Sequence, residues 1–153
     1  MNDSIEWALS GRCVVYPTST LPALGCIPTS TALDELFEIK ERPYSSPVSL
    51  GVADLNQARE IVQVPEDVRE ILEDFPEGSL TIVLRPHEEM DARLGGGKVA
   101  VRVVSHPTAR TLLLRTGPLT ATSANLSGLE PALNCVEAAD SLSKPRRPVL
   151  AIG

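Results

Sequence analysis

Three polar segments hold the residue types that bind and transfer charged groups: Pro17-Thr18-Ser19-Thr20, Lys40-Glu41-Arg42-Pro43 and Thr122-Ser123-Ala124-Asn125-Leu126-Ser127-Gly128. Thr18, Thr20, Ser123 and Asn125 offer neutral hydrogen bonds, and Lys40 and Arg42 offer cations two residues apart. Such a pair suits an anion with several oxygens, because a planar guanidinium fork and a point-charge ammonium can grip a triphosphate from different sides. Taken singly, each segment is ordinary: hydroxyls after a strand cap turns, and a lone K-x-R is usually solvated. A fourth residue, Arg102, interrupts the apolar run Val99 to Val104, where strand alternation aims it to one face. A buried guanidinium needs an anionic partner, either a substrate carboxylate or one of the 20 acidic side chains in a structural ion pair.

Other chemistries find little support. His87 and His106 each sit beside a proline without a readable Ser/Asp or Cys arrangement, and their spacing does not suit a metal centre. Glu66-Asp67 and Glu88-Glu89 read as solvated faces. Gly95-Gly96-Gly97 matches neither a P-loop nor a dinucleotide fingerprint and is read as a flexible turn. Cys13, Cys26 and Cys135 are odd in number and far apart, so they are read as buried small hydrophobes. A net charge of −6 argues against nucleic-acid binding by bulk electrostatics and leaves room for a local basic face.

The elements that must position these residues alternate between two periods. A helix over IEWALS, capped by Asp3 or Ser4, leads to a buried strand Cys13–Tyr16, and 17–28 reads as an ordered loop. Ser30 or Thr31 caps a helix with Leu33, Leu36 and Phe37 on one face, whose C-terminus delivers Lys40 and Arg42. A strand over PVSLGVA, a helix capped by Asp54, and an amphipathic helix with Val68, Ile71, Leu72 and Phe75 follow. Strands at 80–84, 99–104 and 119–122, a helix over 107–115 and a tail strand at 149–152 complete the reading. Several connections are too short for a parallel crossover, so the expected class is α/β with a mixed sheet and flanking helices. The 153 residues are treated as a single domain, able to bury roughly 68–70% of their unfolded surface. Only 3% aromatic residues against 13 prolines predict an aliphatic core with many fixed-φ loops. No apolar run reaches the ~20 residues of a membrane span and no basic leader is visible, so a soluble, cytoplasmic protein is expected.

Five motifs in one order carry a family likeness. Pro17-Thr18-Ser19-Thr20-Leu21-Pro22-Ala23-Leu24-Gly25 stands where P-T-E-T-x-Y-G-L-G would be, and Lys40-Glu41-Arg42-Pro43 matches K-x-R-P. Pro76 to Leu84 parallels P-G-P-L-T-x-V-L, Val99 to Val104 parallels V-x-V-R-x-P, and Thr122 to Gly128 matches T-S-A-N-x-S-G. Over roughly residues 5–135 the chain resembles the YrdC-like family, the threonylcarbamoyl-AMP synthases of tRNA modification. The resemblance implies a twisted, open mixed β-sheet with flanking helices and a concave, locally positive ligand-binding face. It implies ATP, L-threonine and bicarbonate as substrates, with Mg2+ accompanying the nucleotide and no protein metal site. Lys40, Arg42, Ser123 and Asn125 would bind ATP and promote the chemistry, while Thr20 and Arg102 would orient threonine. Proteins that transfer the product to tRNA would act downstream.

The sequence departs from the pattern at Ser19 and Pro22-Ala23, and it is C-terminally short of a small-residue S-T-V segment that also contacts nucleotide in the family. Either Lys144, Arg146 and Arg147 substitute for that contact, or the site turns over weakly. Two alternatives are therefore weighed. One is a catalytically weak or inactive relative that binds nucleotide, or binds double-stranded RNA or tRNA through Lys40, Arg42, Arg85, Lys98, Arg102 and Arg146 on one face. The other is an α/β domain serving only protein interaction.

Overall fold

The structure is a computed structural model that describes residues 1–152 apart from Ser127 and Pro131. Helices are α1 (Asn2–Leu9), α2 (Ser30–Lys40), α3 (Leu55–Arg59), α4 (Val68–Glu73), α5 (Pro107–Thr116) and α6 (Cys135–Leu142). Strands are β1 (Val14–Tyr16), β2 (Ala23–Gly25), β3 (Leu50–Val52), β4 (Thr81–Leu84), β5 (Val99–Val103), β6 (Leu119–Thr120), β7 (Thr122–Ser123) and β8 (Leu150–Ala151).

The mixed α/β class with open sheets and flanking helices is as the sequence implied, with the strands divided between two four-stranded sheets. The first runs β7-β2-β1-β8 and the second β4-β5-β3-β6. In each, one parallel pair, β1 with β8 or β3 with β5, sits among antiparallel neighbours. The segment 119–123 belongs to both sheets: β6 pairs with β3, and two residues later β7 pairs with β2. Thr120, 0% exposed, locks this crossover. Its hydroxyl accepts from Cys26 N at 3.0 Å and donates to Leu24 O at 3.2 Å, and its carbonyl accepts from the Tyr16 hydroxyl at 2.8 Å.

Strand alternation sorts the cores. Cys13, Val15, Leu24 and Cys26 face one cluster with α2 and α6, while Val14, Tyr16 and Ala23 face a second with α1 and α5. The first sheet is buried on both faces, which explains why Val14-Val15-Tyr16 shows no polar alternation. The second sheet is not: Leu50, Val52, Val99 and Val101 enter the first core, while Ala100 and Arg102 on the other face of β5 are only half-buried.

Several local expectations change. The 17–28 loop contains β2, three buried residues preceded by Pro22 and ending in Gly25, breakers that hid it. Helix α6 went unread in the tail. The side-chain cap of α2 is Thr29, not Ser30 or Thr31, and α1 has Met1 at its cap position with no side-chain cap, so the expected caps Asp3 and Ser4 lie inside the helix. Helix α4 meets the first core through Val68 and, one turn on, the partly buried Leu72, while Ile71 and, beyond the helix, Phe75 are exposed, so the apolar face is narrower than expected. Within 95–97, Gly95 closes a 3-10 turn at φ 111. All three cysteines are buried thiols, and the Cys26 side chain, then burial, push the Cys13 thiol far above its ordinary range.

Candidate active site

Helix α2 carries Leu33, Leu36, Phe37 and Lys40 at i, i+3, i+4 and i+7, so Lys40 falls on the apolar stripe and is only 1% exposed. Its ammonium leaves the core at one point, donating to Ser123 O at 2.6 Å and lying 3.5 Å from Ser123 Oγ. Burial first, and the charge of Arg42 second, lower the Lys40 pKa to about 8.

The chain reverses at Glu41, which caps α2 in the left-handed region at φ 54 and ψ 40. The amide of Arg42 then closes back on Phe37 O at 3.0 Å. This reversal takes Arg42 out of the helix, where Nε donates to Ser46 O at 2.7 Å and Nη2 to Pro47 O at 2.8 Å. The guanidinium is thereby fixed against the segment leading into β3.

Arg42, Ser123 and Thr122 line a cavity of about 500 Å³. Its other walls include Ser49 before β3, Lys98 just before β5, Ala100 within β5, and Val83 from β4. Lys98, Ala100 and Arg102 share one face of β5 by alternation, opposite Val99 and Val101 in the core. The lining mixes polar groups with small apolar side chains, and two cations, Arg42 and Lys98, border it. That composition suits a polyanion with a compact polar body.

Further along the same face, Arg102 meets the first loop. Its Nη2 is 3.3 Å from both Ser19 Oγ and Thr20 Oγ1, and its Nε donates to Gly78 O at 2.6 Å. Thr18, nearly buried, shapes that loop by donating to Leu21 O at 2.6 Å and accepting from Thr20 N at 3.1 Å. Among the described residues no carboxylate pairs with Arg102, so of the two partners weighed for it the structural ion pair is not found. The two ends of the site are tied together by β2 and β7, through the Ala23 and Ser123 pairing and the bond from Ala124 N to Pro22 O at 3.0 Å.

Lys40, Arg42 and Ser123 thus come together at one end, and Thr20 and Arg102 at the other. Asn125 is placed differently: its Nδ2 donates to Leu126 O at 2.9 Å and Leu129 O at 2.7 Å, bracing the loop. Its Oδ1 is buried and unpartnered among the described residues. Ser127, part of the same motif, lies outside them. The tail cations do not join the cavity walls: Lys144 is 3.5 Å from Glu41, Arg147 pairs with Glu38, and Arg146 lines a separate groove with Arg12 and Glu35. That arrangement also breaks up the single six-residue basic face weighed for RNA. Sequence reasoning passed over Ser49 and Gly78 and gave Lys98 only to RNA. The alternation of Lys98, Ala100 and Arg102 with valines was the signal for Lys98; Ser49 and Gly78 carried none.

Two open mixed sheets with flanking helices, with Lys40 at the end of α2 joined to Ser123 and Arg42 lining the adjoining cavity, define the class as a mixed α/β domain with a polar site at its strand ends. The family model named Sua5/YciO/YrdC, described as telomere recombination, matches residues 7–152, and the chain belongs to that family. It is similar to the threonylcarbamoyl-AMP synthase of Idiomarina loihiensis, 35% identical over 138 residues, covering 85% of this chain and 74% of that protein. It is also similar to the threonylcarbamoyl-AMP synthase of Bacillus subtilis, 34% identical, covering 75% of this chain and 35% of that longer protein. Among solved structures, Pyrococcus abyssi Sua5 complexed with L-threonine superposes with a TM-score of 0.86 at 27% identity, covering 99% of this chain and 46% of that one. Escherichia coli YciO gives 0.81 at 26% identity, covering 99% and 76%. No helix in the described residues is long and apolar enough to cross a membrane.

Proposed function

We propose that this chain is a threonylcarbamoyl-AMP synthase, a nucleotidyltransferase that converts L-threonine, bicarbonate and ATP into threonylcarbamoyl-AMP and pyrophosphate. The observation that carries the reading is the joining of Lys40 to Ser123, 83 residues apart, beside Arg42 on a cavity whose open sheet face continues to the Arg102 and Thr20 pair. Curated relatives with that activity, and a Sua5 structure holding L-threonine, support it.

The threonine carboxylate would pair with the Arg102 guanidinium, whose charge no described acid neutralises, and Thr20 would hydrogen-bond the same molecule. The amine and bicarbonate then join with loss of water to give a carbamate. A carbamate oxygen attacks the α-phosphorus of ATP; the bond to the β-phosphate oxygen breaks and pyrophosphate leaves. Nothing in that sequence needs a strong side-chain base. Lowering the barrier rests on alignment of the reactants and on neutralising the phosphate charge. Lys40 and Arg42 supply the charge, Ser123 a hydroxyl, and Asn125 a braced loop with one free acceptor. Mg2+ would enter with ATP as part of the substrate. The product would feed the proteins that modify tRNA.

The test is to incubate the protein with Mg-ATP and bicarbonate and measure pyrophosphate with and without threonine. Threonine-dependent release is expected. Equal release with and without threonine, or none, would overturn the reading.

A further inference from the structure

Arg102 is held unusually for a residue meant to receive a substrate. A guanidinium offers two bidentate edges, a side-on edge through Nε and Nη2 and an end-on edge through Nη1 and Nη2. Here the Gly78 carbonyl occupies Nε at 2.6 Å, which closes the side-on edge. The Ser19 and Thr20 hydroxyls, each at 3.3 Å, steady Nη2, and Nη1 donates to nothing among the described residues. With Nη2 shared between two hydroxyls, Nη1 is the free donor, and we propose that Gly78 and Ser19 are positioning residues that hold Arg102 so that Nη1 is presented to the substrate carboxylate.

The turn that brings the Gly78 carbonyl there favours glycine. Its φ is +74, in the left-handed region, and a Cβ would stand 2.7 Å from Ser105 Oγ and 2.8 Å from Ser19 Oγ. The same contact that would eject a side chain from position 78 thus presses on the second positioning residue. Ser19 matters for a separate reason. A neutral hydroxyl steadies the fork without cancelling its charge, so the full positive charge stays available to the incoming carboxylate. Neither residue needs to touch the nucleotide, since Lys40, Arg42 and Ser123 lie at the other end of the site.

This inference rests on the synthase reading. The experiment compares wild type, Gly78→Ala and Ser19→Ala by threonine-dependent pyrophosphate release, fitting KM for threonine and for ATP separately. Threoninamide, which lacks the carboxylate charge, serves as the competing substrate. Gly78→Ala is expected to raise the threonine KM about tenfold and Ser19→Ala about threefold, with the ATP KM within about twofold of wild type. Both variants should discriminate less between threonine and threoninamide. The Arg102 Nε–H signal in a 15N spectrum should shift in Gly78→Ala. Threonine KM unchanged in both variants, or threonine and ATP KM rising together, would overturn the inference. Should Gly78→Ala fail to fold, Ser19→Ala alone decides. A wild type that makes no threonine-dependent pyrophosphate sinks the synthase reading instead, which separates the two failures.

Discussion

Lys40, proposed above to bind phosphate, is held at a cost to the fold. Its pKa is lowered from 10.5 to about 8 because burial, helped by the neighbouring Arg42, penalises the charged form. Below about pH 8 both folded and unfolded chains hold the proton, and the penalty on the fold is complete. Between about 8 and 10.5 the unfolded chain binds more proton than the folded one, so stability should rise with pH across that window. Nucleotide affinity should move the opposite way, because a neutral amine no longer attracts phosphate. ATP titrations by calorimetry at several pH values between 7 and 10 should show weakening that Lys40→Ala abolishes, with the variant binding weaker at neutral pH by about 1.5–3 kcal/mol. Affinity flat across the range in wild type would show that Lys40 holds Ser123 and nothing else.

At the scale of elements, the end of α2 shows how a helix terminus can place two cations differently. Glu41 in the left-handed region is the only non-glycine with positive φ among the described residues, a conformation that costs an L-residue about 1–2 kcal/mol. Its own ion pair, with Lys144 at 3.5 Å, is exposed and worth little. Glu41→Gly should therefore stabilise the protein by about 0.5–1 kcal/mol, read as a higher Tm; a lower Tm would show that the Glu41 side chain matters to the fold. This terminus was legible in the sequence, because an amphipathic stripe that ends in a lysine, followed by Arg-Pro, announces both the helix and its stop. Segment 119–125 was legible as a strand running into a hydroxyl and amide loop. What stayed hidden were features set by partners far along the chain. Strand β2 is three residues long and has meaning only between β1 and β7. The role of Gly78 depends on where Arg102 reaches; α6, by contrast, was legible, since Cys135, Ala138, Ala139 and Leu142 form a buried stripe at i, i+3, i+4 and i+7 that the reading of the tail passed over.

For the molecule as a whole, the crossover at 119–123 makes two sheets one body. Thr120→Val keeps the shape but strips the hydroxyl from Cys26 N and Leu24 O, leaving a buried amide unpaired. The expected loss is about 1–3 kcal/mol in urea unfolding. Trp7, whose Nε1 donates to Cys13 O at 2.8 Å beside the first sheet, should report the same single transition as far-UV circular dichroism. Two separated transitions would mean that the sheets unfold independently. The Sua5 likeness over 99% of this chain at a TM-score of 0.86 describes the same two-sheet body.

The ammonium of residue 40 finds its seat only on residue 123, and their separation of 83 positions has a consequence during synthesis. A nascent chain still tethered with its first hundred residues out of the ribosome holds the cation but not its seat. On the proposed function, nucleotide capture would begin only once β7 has joined the first sheet, and a half-made chain would be silent toward ATP.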